Sequence, residues 1–297
     1  MPVPRQVATS AETKNREGSP LPVGRLGLVF GRMLDTENSI DPGIEVRTYF
    51  ARGRNALVAR AEFSELYAAL YLHRMDSGSG LEEATDKLLR DALAAVTLHS
   101  ASRPGKEMVA WTVNFQNPLV NVFVSGNNTL GTVVGNVFTE NVKSSPTGLF
   151  YADIISDSVP PRRSVVEFSG QEFLRAVETF YLQSEQRLAR FFRYEEEDLV
   201  MVLAQPDADV DWIKALDEQA IRRLDKDVEL GLLEKRRYRF ECGCNQEQML
   251  AMLAPVMRQQ PDELFQGEEV IRIHCPRCGA RHTITRESLE AHIARSE

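Results

Sequence analysis

Apolar residues recur at helical spacing between residues 62 and 100. They lie three or four positions apart in two runs, which predicts helices over Glu62–Met75 and Leu81–Ser100. The Ser-Gly-Ser-Gly stretch at 77–80 separates the two runs, because glycine and serine are typical of helix ends. Just upstream, 44–61 has the pattern of two strands joined by a turn at 52–55.

Beyond the second helix the spacing of apolar residues changes to two. Val109, Trp111 and Phe115 alternate with polar or smaller neighbours, which is the pattern of a half-buried strand. Further strands are predicted at Leu119–Ser125, Thr129–Phe138, Leu149–Ile155, Ser164–Phe168 and Leu199–Ala204. Ser169 is expected to cap a helix that runs to Leu188. The fold class is therefore predicted to be α+β, with helices packed on an antiparallel sheet rather than a nucleotide-binding βαβ array.

The changes of pattern divide the chain into four predicted regions. They are a flexible N-terminal extension at 1–43, an α+β body at 44–192, an acidic, largely helical linker at 193–237 and a small C-terminal domain at 238–297. In the linker, apolar residues at helical spacing from Asp209 to Leu233 allow two interpretations. One is an ordinary amphipathic helix packed on the body; the other is a marginal segment that depends on its neighbours for order.

The C-terminal domain is predicted to contain two strands and two helices. The strands are Arg236–Phe240 and Val270–Ile273, and the helices are Gln246–Arg258 and Arg286–Ala294. At about 60 residues this domain has too small a core to be robustly stable on its own. A cross-link or a bound metal is therefore expected to stabilise it.

The net charge of −8 is concentrated in one segment. Between Glu195 and Leu230, twelve Asp and Glu residues face four Lys and Arg residues, so this segment carries the whole excess. From Lys235 to Glu297 the chain holds ten Lys and Arg residues against nine Asp and Glu residues. A nearly neutral C-terminal domain is not expected to bind the phosphate backbone of a nucleic acid.

Hydropathy and the start of the chain bear on its location. No apolar run approaches the roughly 18 residues that cross a bilayer. The first residues, Met1–Arg5, lack the basic and then apolar layout of a secretory signal. We therefore expect a cytoplasmic protein with no membrane partner, in which thiols stay reduced and are available to bind a metal.

The four cysteines of the chain fall in two tight pairs near its C-terminus. Cys242 and Cys244 are separated by one residue, and Cys275 and Cys278 by two. Two such pairs can converge as a tetrahedral site of four thiolates, which suits one zinc ion per chain. The alternatives are unrelated buried cysteines or two disulfides of a secreted domain, which the tight pairing and the missing secretory signal disfavour.

Catalytic chemistry has little support in the sequence. No Gly-x-Ser-x-Gly motif occurs, and the five histidines are scattered. His73 and His99 are expected to be surface or hydrogen-bonded core residues, whereas His274 lies beside Cys275 and could replace a sulfur ligand. A closed site of four thiolates leaves no open position for a substrate water. We therefore expect no enzyme activity and assign no catalytic residue.

Several motifs together resemble the 33 kDa chaperonin family of redox-regulated heat-shock proteins. The most specific is Cys242-Gly-Cys244, thirty intervening residues and then Cys275-Pro-Arg-Cys278-Gly279. The stretch Phe180-Tyr-Leu-Gln-Ser-Glu-Gln186 is similar to the family's signature before its linker, and Pro118-Leu119 with the Asn127-Asn128 turn is similar to its central strands. The resemblance runs from about residue 44 to the C-terminus. Where the family has Gly-x-Gly-Pro, this chain has Phe115-Gln-Asn-Pro118.

The resemblance implies an ATP-independent holdase that oxidation activates during stress. It implies that 44–192 is the chaperone body, that 238–297 is a redox switch, and that zinc is held by Cys242, Cys244, Cys275 and Cys278. Oxidation of these four cysteines would release the zinc and form the disulfides Cys242–Cys244 and Cys275–Cys278. The implied partners are unfolding client proteins and, in the oxidised state, a second copy of the chain.

Two other classes of function compete with the holdase. The first is a constitutive zinc-stapled adaptor that binds a protein partner without any redox response. The second is a zinc protein that binds nucleic acid, which the local charge balance disfavours. Zinc release and client binding before and after oxidation distinguish the holdase from the adaptor, and salt-dependent binding to DNA or RNA would indicate the third class.

Overall fold

A computed structural model describes residues 43–78, 80–156 and 159–296. Its strands are β1 Ile44–Ala51, β2 Ala56–Glu62, β3 Glu107–Gln116, β4 Leu119–Asn127, β5 Thr132–Phe138, β6 Gly148–Ser156, β7 Val159–Phe168, β8 Ala189–Arg193, β9 Asp198–Ala204, β10 Leu230–Phe240, β11 Val270–His274 and β12 Arg281–Thr285. Its helices are α1 Ser64–Asp76, α2 Glu83–Ala101, α3 Phe173–Gln183, α4 Val210–Ala215, α5 Glu218–Arg222, α6 Leu224–Asp227, α7 Gln246–Gln259, α8 Pro261–Phe265 and α9 Arg286–Ser296. The N-terminal extension predicted at 1–43 lies outside these residues except for Gly43.

A ten-stranded sheet organises the body, in the order β7-β6-β3-β4-β5-β10-β1-β2-β9-β8. Each neighbouring pair is antiparallel except β5 and β10, which run parallel through only two residue pairs. These pairs are Arg239 with Thr132 and Phe240 with Val133. The sheet therefore consists of two five-stranded halves that meet at the C-terminal end of β10. The predicted α+β fold on an antiparallel sheet is confirmed.

The main hydrophobic core lies between this sheet and the helices α1, α2 and α3. Helix α2 is buried along most of its length, and its residues Ala92 to Val96 are fully buried. Beside it, the rings of Phe150 and Phe180 stack with centroids 4.9 Å apart, and Trp111 packs edge-on against Phe150. Burying large aromatic and aliphatic side chains at this density is the dominant stabilising force of such a body.

A second core lies on the other face of the sheet, at the half formed by β1, β2, β9 and β8. Strand β9 is buried on both faces: Leu199, Met201 and Leu203 belong to the main core, and the alternate residues Val200 and Val202 belong to the second. The side chains that cover this second face come from the segment 210–228 and are Ile213, Leu216, Ile221, Leu224 and Val228. The segment therefore acts as a cover over half of the sheet.

The prediction of one helix over Asp209–Leu233 is wrong. The structure has the three short helices α4, α5 and α6, followed by the start of β10. The carboxylate of Asp209 accepts a backbone hydrogen bond at the start of α4, and that of Asp217 does the same at the break between α4 and α5. The linker predicted at 193–237 is thus not largely helical, because it contains β9 and most of β10 as well. The division of the chain into domains at these boundaries stays a prediction.

The other predicted elements differ from the structure mainly at their ends. The helix expected from Ser169 to Leu188 is α3, which ends at Gln183, and β8 follows it. The strand expected at Arg236–Phe240 is the end of β10, and β8, β12 and α8 were not predicted. Within the described residues, no helix combines the length and the apolar character that crossing a membrane requires.

Candidate metal centre

Cys242 and Cys244 follow directly from the strand that joins the two halves of the sheet. After β10 ends at Phe240, the N–H of Glu241 donates to the carbonyl of Val133 at 3.0 Å and holds the chain against β5. Gly243 has a φ of 72°, a left-handed conformation that glycine adopts without strain, so the chain turns between the two thiols. The two sulfurs are therefore fixed to the centre of the body by backbone hydrogen bonds.

Cys275 and Cys278 lie in the tight turn between β11 and β12. The N–H of Cys275 donates to the carbonyl of Ala280 at 2.8 Å, and the N–H of Gly279 donates to the carbonyl of Cys275 at 2.8 Å. Gly279 has a φ of 77°, which closes the turn behind the second thiol. Both sulfurs are thereby presented on the same side of the hairpin.

The turn packs closely on the body. Cys275, Cys278 and Ala280 form a buried cluster with Val134 of β5. A Cβ atom added to Gly279 would lie 3.0 Å from Oδ1 of Asn136, also on β5, so a side chain at this position would require the Asn136 amide or the turn to shift. Because Gly279 has no side chain, the turn that carries Cys275 and Cys278 can lie close to β5.

The four thiols converge as the sequence predicts. All four Sγ atoms lie within 4.8 Å of one another. The Sγ atoms of Cys242 and Cys275 are 3.7 Å apart, and those of Cys244 and Cys278 are 3.5 Å apart. A tetrahedral zinc site with Zn–S bonds of about 2.3 Å places its sulfurs about 3.8 Å apart, whereas a disulfide needs about 2.0 Å. The cluster is compatible with one zinc ion.

The four thiols do not ionise equally readily when no cation lies among them. The interaction between the neighbouring thiols of Cys242 and Cys278 lowers the pKa of Cys242 and raises the pKa of Cys278. Burial raises the pKa of Cys244 to about 12. Four thiolates at these distances repel one another, and a divalent cation among them allows all four to ionise together.

The histidines do not join this cluster. Among the residues that the structure describes, the four cysteines are the only group of three or more potential ligands that could hold a metal ion. His274 is exposed on β11, and Nδ1 of His292 pairs with Glu247 at 2.9 Å. His99 is buried, and its Nδ1 lies 2.5 Å from the hydroxyl of Tyr181. His99 is thus a core residue that is hydrogen-bonded through Nδ1, as expected, while its buried Nε2 has no hydrogen-bond partner among the described residues.

The fold and the site define a class: an α+β protein with a sheet-based body and a C-terminal cluster of four cysteines. Comparisons with known proteins narrow this class to one family. The model of the family described as Hsp33 protein matches residues 193–285. The 33 kDa chaperonin of Edwardsiella ictaluri is 24% identical over 154 residues, which cover 43% of this chain and 53% of that protein. The 33 kDa chaperonin of Caldanaerobacter subterraneus subsp. tengcongensis is 29% identical over 80 residues, 27% of each chain.

A solved structure agrees with these sequence matches. The 33 kDa chaperonin of Thermotoga maritima superposes with a TM-score of 0.64 at 16% identity, covering 86% of this chain and 99% of that one. At this identity the likeness concerns the fold. The sequence matches span about half and about a quarter of the curated relatives' lengths. Together these findings support the 33 kDa chaperonin family, and the resemblance predicted from the motifs is confirmed.

Proposed function

We propose that the protein is a cytoplasmic, ATP-independent holdase that oxidation of its four cysteines activates. The observation that carries the proposal is the continuity of the chain through β10. This strand begins just after the segment 210–228, which covers the second core, and it ends at Phe240, two residues before Cys242. A change at the cysteines therefore acts directly on the strand that anchors the cover.

The cover is suited to reversible release. Helices α4, α5 and α6 have six, five and four residues, and helices this short are not stable without tertiary contacts. Their apolar side chains, such as Ile213 and Ile221, are nearly fully buried against β1, β2 and β9. Release of the segment would expose these side chains and the sheet face beneath them, which are surfaces of the kind that bind unfolding proteins.

Zinc bound to Cys242, Cys244, Cys275 and Cys278 would contribute the folding energy of the C-terminal domain. In small domains of this kind a structural zinc is worth about 10–16 kcal/mol. Two thiolates and one peroxide molecule, with two protons, give one disulfide and two water molecules; the thiolates are oxidised and the peroxide is reduced. Two peroxide molecules therefore convert the four thiolates into two disulfides and remove the ligand set.

We propose the pairing Cys242–Cys244 and Cys275–Cys278 for the oxidised protein. The shortest sulfur distances in the folded cluster instead join Cys242 to Cys275 and Cys244 to Cys278. Pairing within each motif is favoured once the domain unfolds, because closing a short loop costs less chain entropy than closing one of more than thirty residues. Peptide mapping of the oxidised protein by mass spectrometry distinguishes the two pairings.

The proposed partners are unfolding client proteins and, when the protein is oxidised, a second copy of the chain. A nucleic acid, a membrane and an enzyme substrate are not among them. The closed set of four sulfur ligands would leave no position for a substrate water on the zinc. The domain around the cysteines is also nearly neutral, which disfavours binding to phosphates.

A client assay with zinc detection tests the proposal. The zinc-loaded protein is treated with peroxide or hypochlorite, the freed zinc is followed with a metallochromic dye, and aggregation of a heat-unfolded enzyme is followed by light scattering. We expect zinc release and suppression of aggregation to rise together, and both to reverse after reduction and addition of zinc. Oxidised, zinc-free protein that leaves aggregation unchanged would contradict the proposal, and equal binding before and after oxidation would indicate a constitutive adaptor.

A substitution in the cover tests its role without oxidant. Ile213→Asp places a carboxylate where the side chain is fully buried, so the segment should detach and the reduced protein should suppress aggregation. Val210→Asp is the matched control, because Val210 lies on the same helix with 40% of its surface exposed. If both variants behave like the wild type in the reduced state, the cover is not the surface that controls client binding.

A further inference from the structure

Both ends of the cover are bound to one turn of the body. This turn, at 52–55, joins β1 to β2. Before the cover, Oδ2 of Asp209 lies 2.5 Å from Nη1 of Arg54, and the N–H of Asp209 donates to the carbonyl of Arg54 at 3.0 Å. After the cover, Oε1 of Glu229 lies 2.7 Å from Nη1 of Arg52, and the N–H of Arg52 donates to the carbonyl of Glu229 at 3.0 Å. The arginines of this turn therefore pair with the carboxylates that flank the cover.

A further arginine of the body contacts the cover from β8. Nη1 of Arg190 donates to the carbonyls of Ile213 and Lys214 at 3.4 and 3.1 Å, in the last turn of α4. Its guanidinium also lies 4.8 Å from the ring centroid of Phe192, which belongs to the second core. The apolar face beneath the cover is therefore bordered by positive side chains, on β8 and at the turn between β1 and β2.

The cover complements this border in charge. Residues 207–229 hold eight Asp and Glu residues against four Lys and Arg residues, and their apolar side chains supply part of the second core. The cover thus has the composition of an acidic amphipathic segment. Burial of its apolar side chains provides most of the attraction, because the pairs of Arg52 and Arg54 with their carboxylates are partly exposed and each contributes little. Opposite charges at the edge of such a surface act mainly on the choice of partner.

We propose that the face beneath the cover binds acidic amphipathic segments of unfolding proteins, and that the cover occupies this face in the reduced protein as an internal competitor of the same chemistry. The proposal rests on the holdase function proposed above and names the class of client segment that the face prefers. The apolar side chains of the client pack on Val58, Val200 and Val202, which the cover leaves when it detaches. The flanking carboxylates of the client pair with Arg52 and Arg54. A basic segment meets these arginines with like charge and binds less tightly.

Two fluorescently labelled peptides serve as client segments of known charge. The acidic probe has the sequence of residues 207–229, and the amide probe is the same peptide with Asp209→Asn and Glu229→Gln. Asparagine caps a helix as well as aspartate does, so the exchange at 209 removes a charge and keeps the cap. Binding of each probe to the oxidised, zinc-free, full-length protein is measured by fluorescence anisotropy.

Variants of the body locate the source of any preference. Arg52→Gln and Arg54→Gln are combined in one double variant, since both side chains are partly exposed and the body should fold without them. Arg190 is left unchanged, because its Nε also lies 3.8 Å from Glu178 of α3. Arg163→Gln is the matched control: Arg163 is an exposed, paired arginine on β7, in the other half of the sheet.

We expect the oxidised wild type to bind the acidic probe about fivefold more tightly than the amide probe, because the amide probe lacks two partly exposed charge pairs. The double variant should bind both probes equally, at the weaker affinity, and Arg163→Gln should match the wild type. High salt should remove the difference between the probes. In the reduced state the double variant holds its cover less firmly, so its binding of the acidic probe should rise above that of the reduced wild type.

Equal binding of the two probes by the oxidised wild type, or binding of neither, would overturn the proposal. A fivefold preference that persists in the double variant would also overturn it, because the arginines would then not be its source. So would a double variant that changes only in the reduced state, because its arginines would then act on the cover alone. The light-scattering assay of the oxidised wild type decides the holdase function separately: a protein that prevents aggregation without distinguishing the probes is a holdase that lacks this selectivity.

Discussion

The body and the C-terminal domain are stabilised in different ways. The body has a large core in which whole elements, such as α2 and β9, are buried. In the C-terminal domain, the described core cluster has seven buried side chains, of which Phe265 is the only aromatic one. A core of that size contributes too little to hold about 60 residues on its own, so we expect a metal held by the four cysteines to supply the remainder.

We propose that this difference allows the C-terminal region to unfold while the body stays folded. The body and the C-terminal region meet at the end of β10, at β5 and at the last turn of α1. Loss of the metal site should therefore melt the small domain first, and the effect on the body should reach it through β10. Substitutions in the two regions can test this separation.

The largest effect is expected from removal of one sulfur ligand. Cys278→Ser replaces a fully buried thiol and should abolish tight zinc binding, with the loss of about 10 kcal/mol or more of domain stability. We expect α7, α8 and α9 to unfold, which lowers the helical circular dichroism signal. Limited proteolysis should then cleave the chain beyond residue 240.

The control for this variant is the unfolding of the body, followed by tryptophan fluorescence, because Trp111 and Trp212 both lie outside the C-terminal domain. That transition should remain. A metal-free Cys278→Ser protein that keeps its helical signal and resists protease would show that the metal does not stabilise the domain.

The next largest effect is expected in the core of the body. Phe150→Ala removes a fully buried ring that stacks on Phe180, which should lower the free energy of unfolding by about 3–5 kcal/mol. Zinc content should stay at one ion per chain, because the ring is remote from the cysteines. Urea unfolding and metal analysis of the same sample give both quantities.

Val165→Ala provides the comparison for Phe150→Ala, since Val165 lies on the neighbouring strand with 54% of its surface exposed. It should change stability by less than about 1 kcal/mol. A Phe150→Ala protein that loses zinc at the same urea concentration at which the body unfolds would show that the two regions form one cooperative unit.

The sequence predicted the elements whose pattern is local. Helices α1 and α2 lie within two residues of the predicted bounds, because a full apolar stripe and a glycine-rich break are both visible in the chain. The four cysteines were predicted as one cluster for a similar reason, because the short spacing within each pair is typical of zinc ligands.

The elements that the sequence did not predict depend on distant partners. The first part of β10 pairs with β1, far earlier in the chain, so Leu232 and Leu233 remain exposed although their pattern resembles a helix. The roles of the charged residues were also ambiguous in the sequence. Asp209 and Asp217 are helix caps and do not belong to the charged face of a longer helix. The neighbours of the cluster, Val134 and Asn136, come from β5, and no local signal connects them to the cysteines.

The smallest effect concerns the acid sensitivity of the body. His99 is fully buried, and burial lowers its pKa well below the ordinary value of 6.5. The unfolded chain therefore binds a proton that the folded chain does not, so stability is lost as the pH falls below about 6.5. The loss is about 1.4 kcal/mol for each pH unit, until the pKa of the folded state is reached.

His99→Gln should remove this part of the acid response while keeping a polar group near the hydroxyl of Tyr181. Urea unfolding of both proteins at pH 7.5 and pH 5.5, followed by the fluorescence of Trp111, measures the difference, and any loss of zinc at low pH is common to both. The ring of Trp111 lies 4.9 Å from that of His99, so the signal reports on the same core. Equal acid destabilisation of the two proteins would mean that the acid response of the body comes from other groups, such as the carboxylates of its ion pairs.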